Sequence, residues 1–446
     1  MRAAVRKSRT IGCSAEGLPP KPAAPGGPRG PLRRILDSLG PGFVTGASDD
    51  DPSGIGTYSV AGATMGFAVL WMALVTFPLM AGVQYICAKI SMVSGVGLAG
   101  VLRERYPRGL LYPCVLILLI ANTLNAGADI AAIAAALNLL FPLPISGLII
   151  PIAALILSVQ IFGAYRLVAS IFKWLSLTLF AYIGAALFAK PDLWEVLRGT
   201  FVPTLAFDGK SLITYTAILG TTISPYLFFW QGSMEVEDEI SRGLLTREQR
   251  QGATDTELRD AAIDVNIGMF FSNLVMYFII LATATTLFKT GQTGISSATD
   301  AAQALKPLAG EAAALLFALG ILGTGFLAVP ILTCSASYAV AEALGWRHGL
   351  RHKLWRARGF YALIICSTLV GVLIDFTGIN PIDALVWSAV LNGFIAPPLL
   401  AVIMLVANNR AVLGDRVNGR LTNVLGWGAT LLMTASAIGL LVTWGQ

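Results

Sequence analysis

About eleven times between Leu36 and the C-terminus the sequence runs apolar for roughly the 20 residues that an α-helix needs to cross a bilayer. These segments 1 to 11 begin near Leu36, Phe67, Leu110, Ile145, Leu167, Leu212, Ile263, Glu311, Gly359, Ile382 and Leu421. In hydrocarbon every backbone polar group needs an internal partner, which leaves a helical bundle or a closed barrel. Barrel strands alternate and are about ten residues long, so the runs specify helices. Only 13% of the 446 residues are charged, against about 25% in soluble domains. The expected fold is an all-α integral membrane protein in a bacterial-type inner membrane, with lipid around it and no soluble catalytic domain.

The charges that remain set the orientation. The net charge is +6, but the basic residues fall in short loops, Arg103 to Arg108, Arg166, Arg242 to Arg259, Arg347 to Arg358 and Arg410 to Arg420, and form no continuous basic domain. They read as positive-inside signals rather than as a nucleic-acid surface, and place the N-terminus in the cytoplasm and the C-terminus outside. Lys173 of segment 5 is read as snorkelling near the cytoplasmic entry. Residues 1–34, rich in Arg, Pro, Gly and Ala without an apolar core, read as a disordered basic tail. Five scattered cysteines, Cys13, Cys87, Cys114, Cys334 and Cys366, form no C-x-x-C pair, which disfavours a zinc site or a disulfide framework. His348 and His352 stand four apart in a basic loop, where a solvated turn is expected before a metal site.

Segment 1 carries Asp49-Asp50-Asp51-Pro52-Ser53-Gly54 between greasy sequence. Carboxylates at membrane depth cost several kcal/mol unless they face water, a partner or a ligand, and Pro and Gly break the helix that carries them. Segment 6 is interrupted in its turn by Gly220-Thr221-Thr222-Ile223-Ser224-Pro225. Two broken helices five segments apart have opposite orientation, the sequence sign of a five-plus-five inverted repeat with substrate at the midplane between the breaks. The expected organisation is a tail (1–34), a first repeat (35–190), an extracellular connection (191–210), a second repeat (211–408), and a loop with an eleventh helix (409–446).

In these details the chain resembles the Nramp family of divalent-metal transporters over nearly its whole length after the tail. Gly40-Pro41-Gly42-Phe43 followed by Asp51-Pro52-Ser53-Gly54 is similar to that family's Gly-Pro-Gly-Phe start and Asp-Pro-Gly-Asn motif. The runs Val93 to Pro107 and Lys190 to Gly199 resemble its segments after helices 2 and 5. The departures fall on the ligands. The motif's Asn is Gly54. Where the family has on helix 6 an Ala whose carbonyl meets the metal, a Met thioether and then Pro-His, this chain has Thr221, Ser224, Pro225 and Tyr226. On helix 3 the family's proton-route Asp and Glu align with Asp129 and Ala132. The pattern resembles the Nramp-related magnesium transporters, a branch understood to have lost the methionine and to bind a hydrated ion.

Oxygen ligands suit magnesium, calcium and manganese, whereas thioethers favour later metals. Magnesium keeps several waters and binds through one or two carboxylates. The resemblance and this chemistry together imply a metal site at Asp51, Gly54, Thr221 and Ser224, with Asp50 and Asp49 adding charge or lining the entry. Asp129, Asn125, Ser53, Thr222 and Tyr226 are expected to line the cavity or a proton path. Successive helical residues point about 100° apart, so three consecutive acids do not face one ion on a regular helix. Gln84 and Asn392 read as interhelical hydrogen-bonders. With no histidine in the bundle, a histidine relay is absent and uptake can be driven by membrane potential, which supplies about 2.3 kcal/mol per charge per 100 mV. A divalent cation is the expected substrate and partner, no cofactor is expected, and a monomer is the fold-level expectation. The rival function is transport of a small organic solute, amino-acid-like, with Tyr226, Phe228, Phe229 and Trp230 lining its pocket. A phosphate-cradling Walker motif is absent, which disfavours an ATP-driven pump.

Overall fold

The computed structural model describes residues 40–162 and 177–443. The tail with Cys13, and the early part of segment 5 with Arg166 and Lys173, lie outside the described residues. Among those described, every regular element is helical. Segment 1 forms α1 (Pro41–Asp49) and α2 (Pro52–Met65); segments 2 to 4 form α3 (Trp71–Ser94), then a short α4 (Leu98–Arg105), α5 (Arg108–Leu140) and α6 (Ile145–Phe162). Segment 5 is described from Leu177 and contains α7 (Ala181–Phe188), followed by α8 (Leu193–Phe201) in the connection. Segment 6 forms α9 (Gly209–Thr222) and α10 (Pro225–Ser241); segments 7 to 11 supply α11 (Asp255–Thr283), α12 (Ala313–Leu344), α13 (Arg358–Asp375), α14 (Pro381–Ala407) and α15 (Arg420–Thr443). Nine helical stretches among the described residues are long and apolar enough to cross a membrane.

Local chemistry sets the helix ends. Gly95 after α3 and Gly345 after α12 both adopt the left-handed conformation, at φ 69° and 71°, that closes a helix cheaply only for glycine. Phe141 leaves the helical region ahead of Pro142, which ends α5.

The two breaks are built alike. After α1, Asp50 turns to φ −80°, ψ 53°, Asp51 is extended at φ −67°, ψ 167°, and Pro52 opens α2. After α9, Ile223 turns to φ −114°, ψ 60°, Ser224 is extended at φ −77°, ψ 130°, and Pro225 opens α10. In each, proline forbids the residue before it the helical region and is itself well placed in a first turn. The chain is thus an all-α bundle of the inverted-repeat type, with segments 1 and 6 broken in the same way.

Segment 1 runs beside segment 7 along a stripe of small and polar residues. A Cβ at Gly46 would lie 2.3 Å from the Gly268 carbonyl, and one at Gly268 would lie 2.4 Å from the Gly42 oxygen, so backbone meets backbone. Four residues before Gly268, the Asp264 carboxylate accepts from the amides of Gly40 (2.8 Å), Gly42 (2.7 Å) and Phe43 (3.1 Å). The N-cap of α1 is Gly40, which has no side chain to cap with, so segment 7 supplies the cap from outside. Segment 6 crosses segment 10 as closely, a Cβ at Gly220 falling 2.0 Å from Ala389 O.

The basic loops meet on one face. Arg247 pairs with Glu104, Arg416 with Asp255, and Asn409 reaches the Tyr106 hydroxyl at 3.3 Å. At the other end Lys289 pairs with Glu195 at 2.9 Å, and Asn380 donates to Ser296 O.

Candidate functional site

The unpaired backbone at the first break is satisfied by side chains from distant segments. Asp51 caps α2, its Oδ1 accepting from Gly54 N at 2.6 Å, while Oδ2 accepts from Asn125 of α5 at 3.0 Å. One turn further along α5, Asp129 Oδ1 accepts from Ser53 N at 3.2 Å. The Tyr226 hydroxyl, at the start of α10, donates to Ser48 O at 2.8 Å, capping a carbonyl freed at the end of α1. Tyr226→Phe is expected to keep the fold and to cost roughly 1 kcal/mol for that lost bond. A thermal-melt comparison of purified wild type and variant checks this.

Across the gap, Ser224 Oγ sits 2.6 Å from Thr221 O and 2.9 Å from Gly220 O, at the last carbonyls of α9. Gly54 is where the two breaks meet. A Cβ there would lie 3.2 Å from Thr221 Oγ1, 3.3 Å from the Tyr58 ring and 3.4 Å from Asp51 Oδ1. A carboxylate of segment 1 and a hydroxyl of segment 6 therefore close on one point, at distances tight even for a methyl group. The donors gathered there are carboxylate, amide, hydroxyl and carbonyl oxygens, a hard set.

The other two acids point elsewhere. Asp49 Oδ2 accepts from Ser272 Oγ of α11 at 2.5 Å, and Asp50 Oδ1 lies 3.2 Å from the same hydroxyl. No three His, Cys, Asp or Glu side chains among the described residues converge as a metal cluster. Thr222 turns its hydroxyl back to Ile218 O (2.7 Å), away from the gap. Ser53 Oγ is engaged with Leu385 O (3.0 Å) and Ser388 on segment 10. All of these residues are closed to solvent, Asp49, Asp50, Asp51 and Asp129 being 0 to 4% exposed. An open cavity of about 360 Å³ lies instead on the basic face, among Arg103, Arg250, Arg347, Arg351, Glu237 and Glu342, and none of the break residues lines it.

A family model described as Nramp, natural resistance-associated macrophage protein-like, matches residues 42–443. The chain belongs to the Nramp family. Among its curated relatives is a divalent metal cation transporter, MntH, of Bacillus subtilis, 29% identical over 424 residues that cover 92% of this chain and 93% of the relative. The MntH of Deinococcus radiodurans is 26% identical over 417 residues, 92% and 90% of the two chains. Among solved structures, a manganese transporter of Eremococcus coleocola in complex with an aromatic bis-isothiourea compound superposes with a TM-score of 0.72 at 19% identity, covering 93% of this chain and 88% of that one. Mhp1, a nucleobase-cation-symport-1 family transporter, shares the fold at a TM-score of 0.57 and 13% identity, over 91% and 90%.

Members of the Nramp family are membrane transporters rather than enzymes, and this chain is one of them. Several residues of its site carry no local sequence signal. Ser272, Tyr58 and Asp264 lie in stretches that read simply as apolar segments. The signal for the first and last is periodic, since Asp264, Gly268 and Ser272 recur every four residues and so share one stripe of α11. Gln84 and Asn392 are both buried, but among the described residues Gln84 Oε1 accepts no hydrogen bond. His348 spends Nδ1 on Trp346 O at 2.8 Å and its other nitrogen lies 3.9 Å from Glu342. Partial burial, and then the arginines around it, hold His352 below the usual imidazole range.

Proposed function

We propose that this Nramp chain carries a divalent metal cation across the membrane by alternating access, and that its substrate is a hard, partly hydrated ion such as Mg2+ or Mn2+. The observation that carries this reading is the meeting of Asp51 and Thr221 at Gly54. It unites the two broken segments at one point, where a carboxylate and a hydroxyl converge beside the Tyr58 ring. Asp51 supplies the charge, Asn125 orients it from α5, and Thr221, Ser224 and the freed carbonyls of α9 supply neutral oxygens. An ion that keeps several waters needs few protein ligands but room for its shell, so the two breaks, which close tightly on Gly54 in this state, have to part to admit it.

The bundle holds no histidine, so transport proceeds without an imidazole proton relay, down the membrane potential into the side that bears the basic loops and the N-terminus.

Calorimetric titration of purified protein with Mg2+ and with Mn2+ tests the proposal. Asp51→Ala is expected to weaken binding beyond the roughly 10- to 100-fold that loss of an outer-shell partner costs. In proteoliposomes the same variant should abolish metal flux. Wild-type protein that binds neither ion would overturn the cation reading.

A further inference from the structure

The cavity on the basic face, remote from the two breaks, has walls of unequal charge. It lies between the turn 95–100 that joins α3 to α4, the second half of α10, the end of α12 and the loop 345–357. Its volume of about 360 Å³ is that of a small-ligand pocket. Arg103, Arg250, Arg347 and Arg351 line it, against Glu104, Glu237 and Glu342. Each glutamate already has a partner. Arg247, which is not part of the wall, pairs with Glu104; the Tyr338 hydroxyl donates to Glu237 at 3.1 Å; and the Gly100 amide donates to Glu342 at 3.0 Å, with His348 at 3.9 Å.

The arginines are less well served. Arg250 is spent on backbone, donating to the carbonyls of Gly95, Leu244 and Leu245 at 3.0 to 3.2 Å. Arg351 acts electrostatically on Glu237. Neither Arg103 nor Arg347 forms an ion pair among the described residues. A Cβ at Gly345 would collide with the Arg103 guanidinium, which sets that group against the start of the loop that bears Arg347. Two arginines from separate elements thus converge on one open space with no acid paired to them. Neighbouring His352 registers the excess, since after partial burial it is Arg351 and the other cations around it that hold the imidazole below its usual range.

The mouth of the cavity is apolar. Trp346 lines it and is 44% exposed, and Leu344, Leu354 and Trp355 beside it in the chain are 37 to 61% exposed, with Lys353 5.2 Å over the Trp355 ring. This loop joins two helices long and apolar enough to span, α12 and α13, and so runs at headgroup depth. Exposed tryptophan among basic residues is the composition of that layer, and basic pockets between helices there take acidic headgroups.

We infer that this cavity binds the headgroup phosphate of an anionic phospholipid from the leaflet that borders the basic loops, with Arg103 and Arg347 on the phosphate oxygens and Trp346 against the glycerol end. The planar fork of arginine matches phosphate oxygens two at a time. A soluble phosphate would meet the same arginines, but it would leave Trp346 in water. The inference does not depend on which ion the protein carries.

Native mass spectrometry of the full-length protein, released from micelles with phosphatidylglycerol or phosphatidylcholine titrated in, tests the inference. Wild type is expected to retain one phosphatidylglycerol per chain in preference to phosphatidylcholine, whose choline cancels the phosphate charge. Each arginine near an anionic headgroup contributes about fivefold, so Arg103→Gln with Arg347→Gln should weaken retention roughly 25-fold. Arg347→Gln alone, at an exposed position, should weaken it about fivefold, and decides the matter if the double variant fails to fold. Arg356→Gln with Arg358→Gln, in or next to the same loop but outside the cavity, should leave retention unchanged. Inorganic phosphate in excess over the lipid should not displace it. Equal loss in the two double variants would overturn the site, because the general charge of the loops would then hold the lipid. Equal retention of the two lipids would overturn it as well, and displacement by inorganic phosphate would assign the cavity to a soluble anion in place of a lipid.

Discussion

Asp264→Ala is expected to release the first half of segment 1 from segment 7. The wild-type carboxylate accepts three amides at the N-terminus of α1, at 2.7 to 3.1 Å, and that terminus has no cap of its own. Hydrogen bonds to a charged group are worth about 1.5 to 3 kcal/mol each and are not additive, so a net loss on the order of 3 kcal/mol is expected. The positive end of the α1 dipole loses its counter-charge as well. A change of that size moves a two-state equilibrium about 150-fold. The protein should then spend far more of its time with α1 displaced. Thr45 is the residue to watch, because it lies buried in α1 with its hydroxyl 2.5 Å from Gln231 of α10. Thiol labelling of Thr45→Cys, in a background without Cys13 and Cys366, should be slow with Asp264 present and at least about tenfold faster with Ala. Asp264→Asn, which keeps an accepting oxygen but loses the charge, should fall between. Equal labelling in all three would show that the carboxylate holds nothing shut.

A methyl group at Gly220 should be less tolerable still. Its carbon would stand 2.0 Å from Ala389 O and 2.4 Å from Gly393 N, both backbone atoms of α14. Overpacking against side chains costs about 1 to 3 kcal/mol because rotamers yield; backbone in a helix does not, so Gly220→Ala belongs at or above the top of that range. The last turn of α9, which carries Thr221, would be pushed off segment 10, and the site would lose shape together with stability. Gly147→Ala is the control, its nearest neighbour being Pro144 Cγ at an ordinary 3.5 Å. Yield of monodisperse protein and melting temperature should fall sharply for the first variant and hardly for the second.

The breaks were legible because proline, glycine and acid inside an apolar run conflict with a plain spanning helix, and local conflict is visible in a linear sequence. Asp51-Pro52 and Ser224-Pro225 both announce themselves in this way. What surrounds them was less legible. Asn125 and Asp129 stood out as polar residues in segment 3, but nothing in the sequence says that one turns toward Asp51 and the other toward the Ser53 amide. Ser272 is a single hydroxyl in a long apolar helix, and its importance comes from which helix lies opposite, a tertiary fact. Asp264 sits just inside the start of segment 7, where an acid reads as a surface residue; only the approach of α1 turns it into a cap. Thr222 illustrates the converse, since a hydroxyl beside a break can as readily serve its own helix as face the gap.

The matched construction of the two breaks has a mechanical consequence. Each trans peptide is rigid, which leaves two soft torsions per residue, and proline removes one of its own. Between α1 and α2 the torsions free to change are essentially those of Asp50 and Asp51, and between α9 and α10 those of Ile223 and Ser224. The residues at which the rods can pivot are therefore those that bear or adjoin the proposed ligand oxygens. On the proposed cation reading, an ion that fixes those oxygens would also fix the angle between the rods, and the cargo would act as the pin of the joint that moves it.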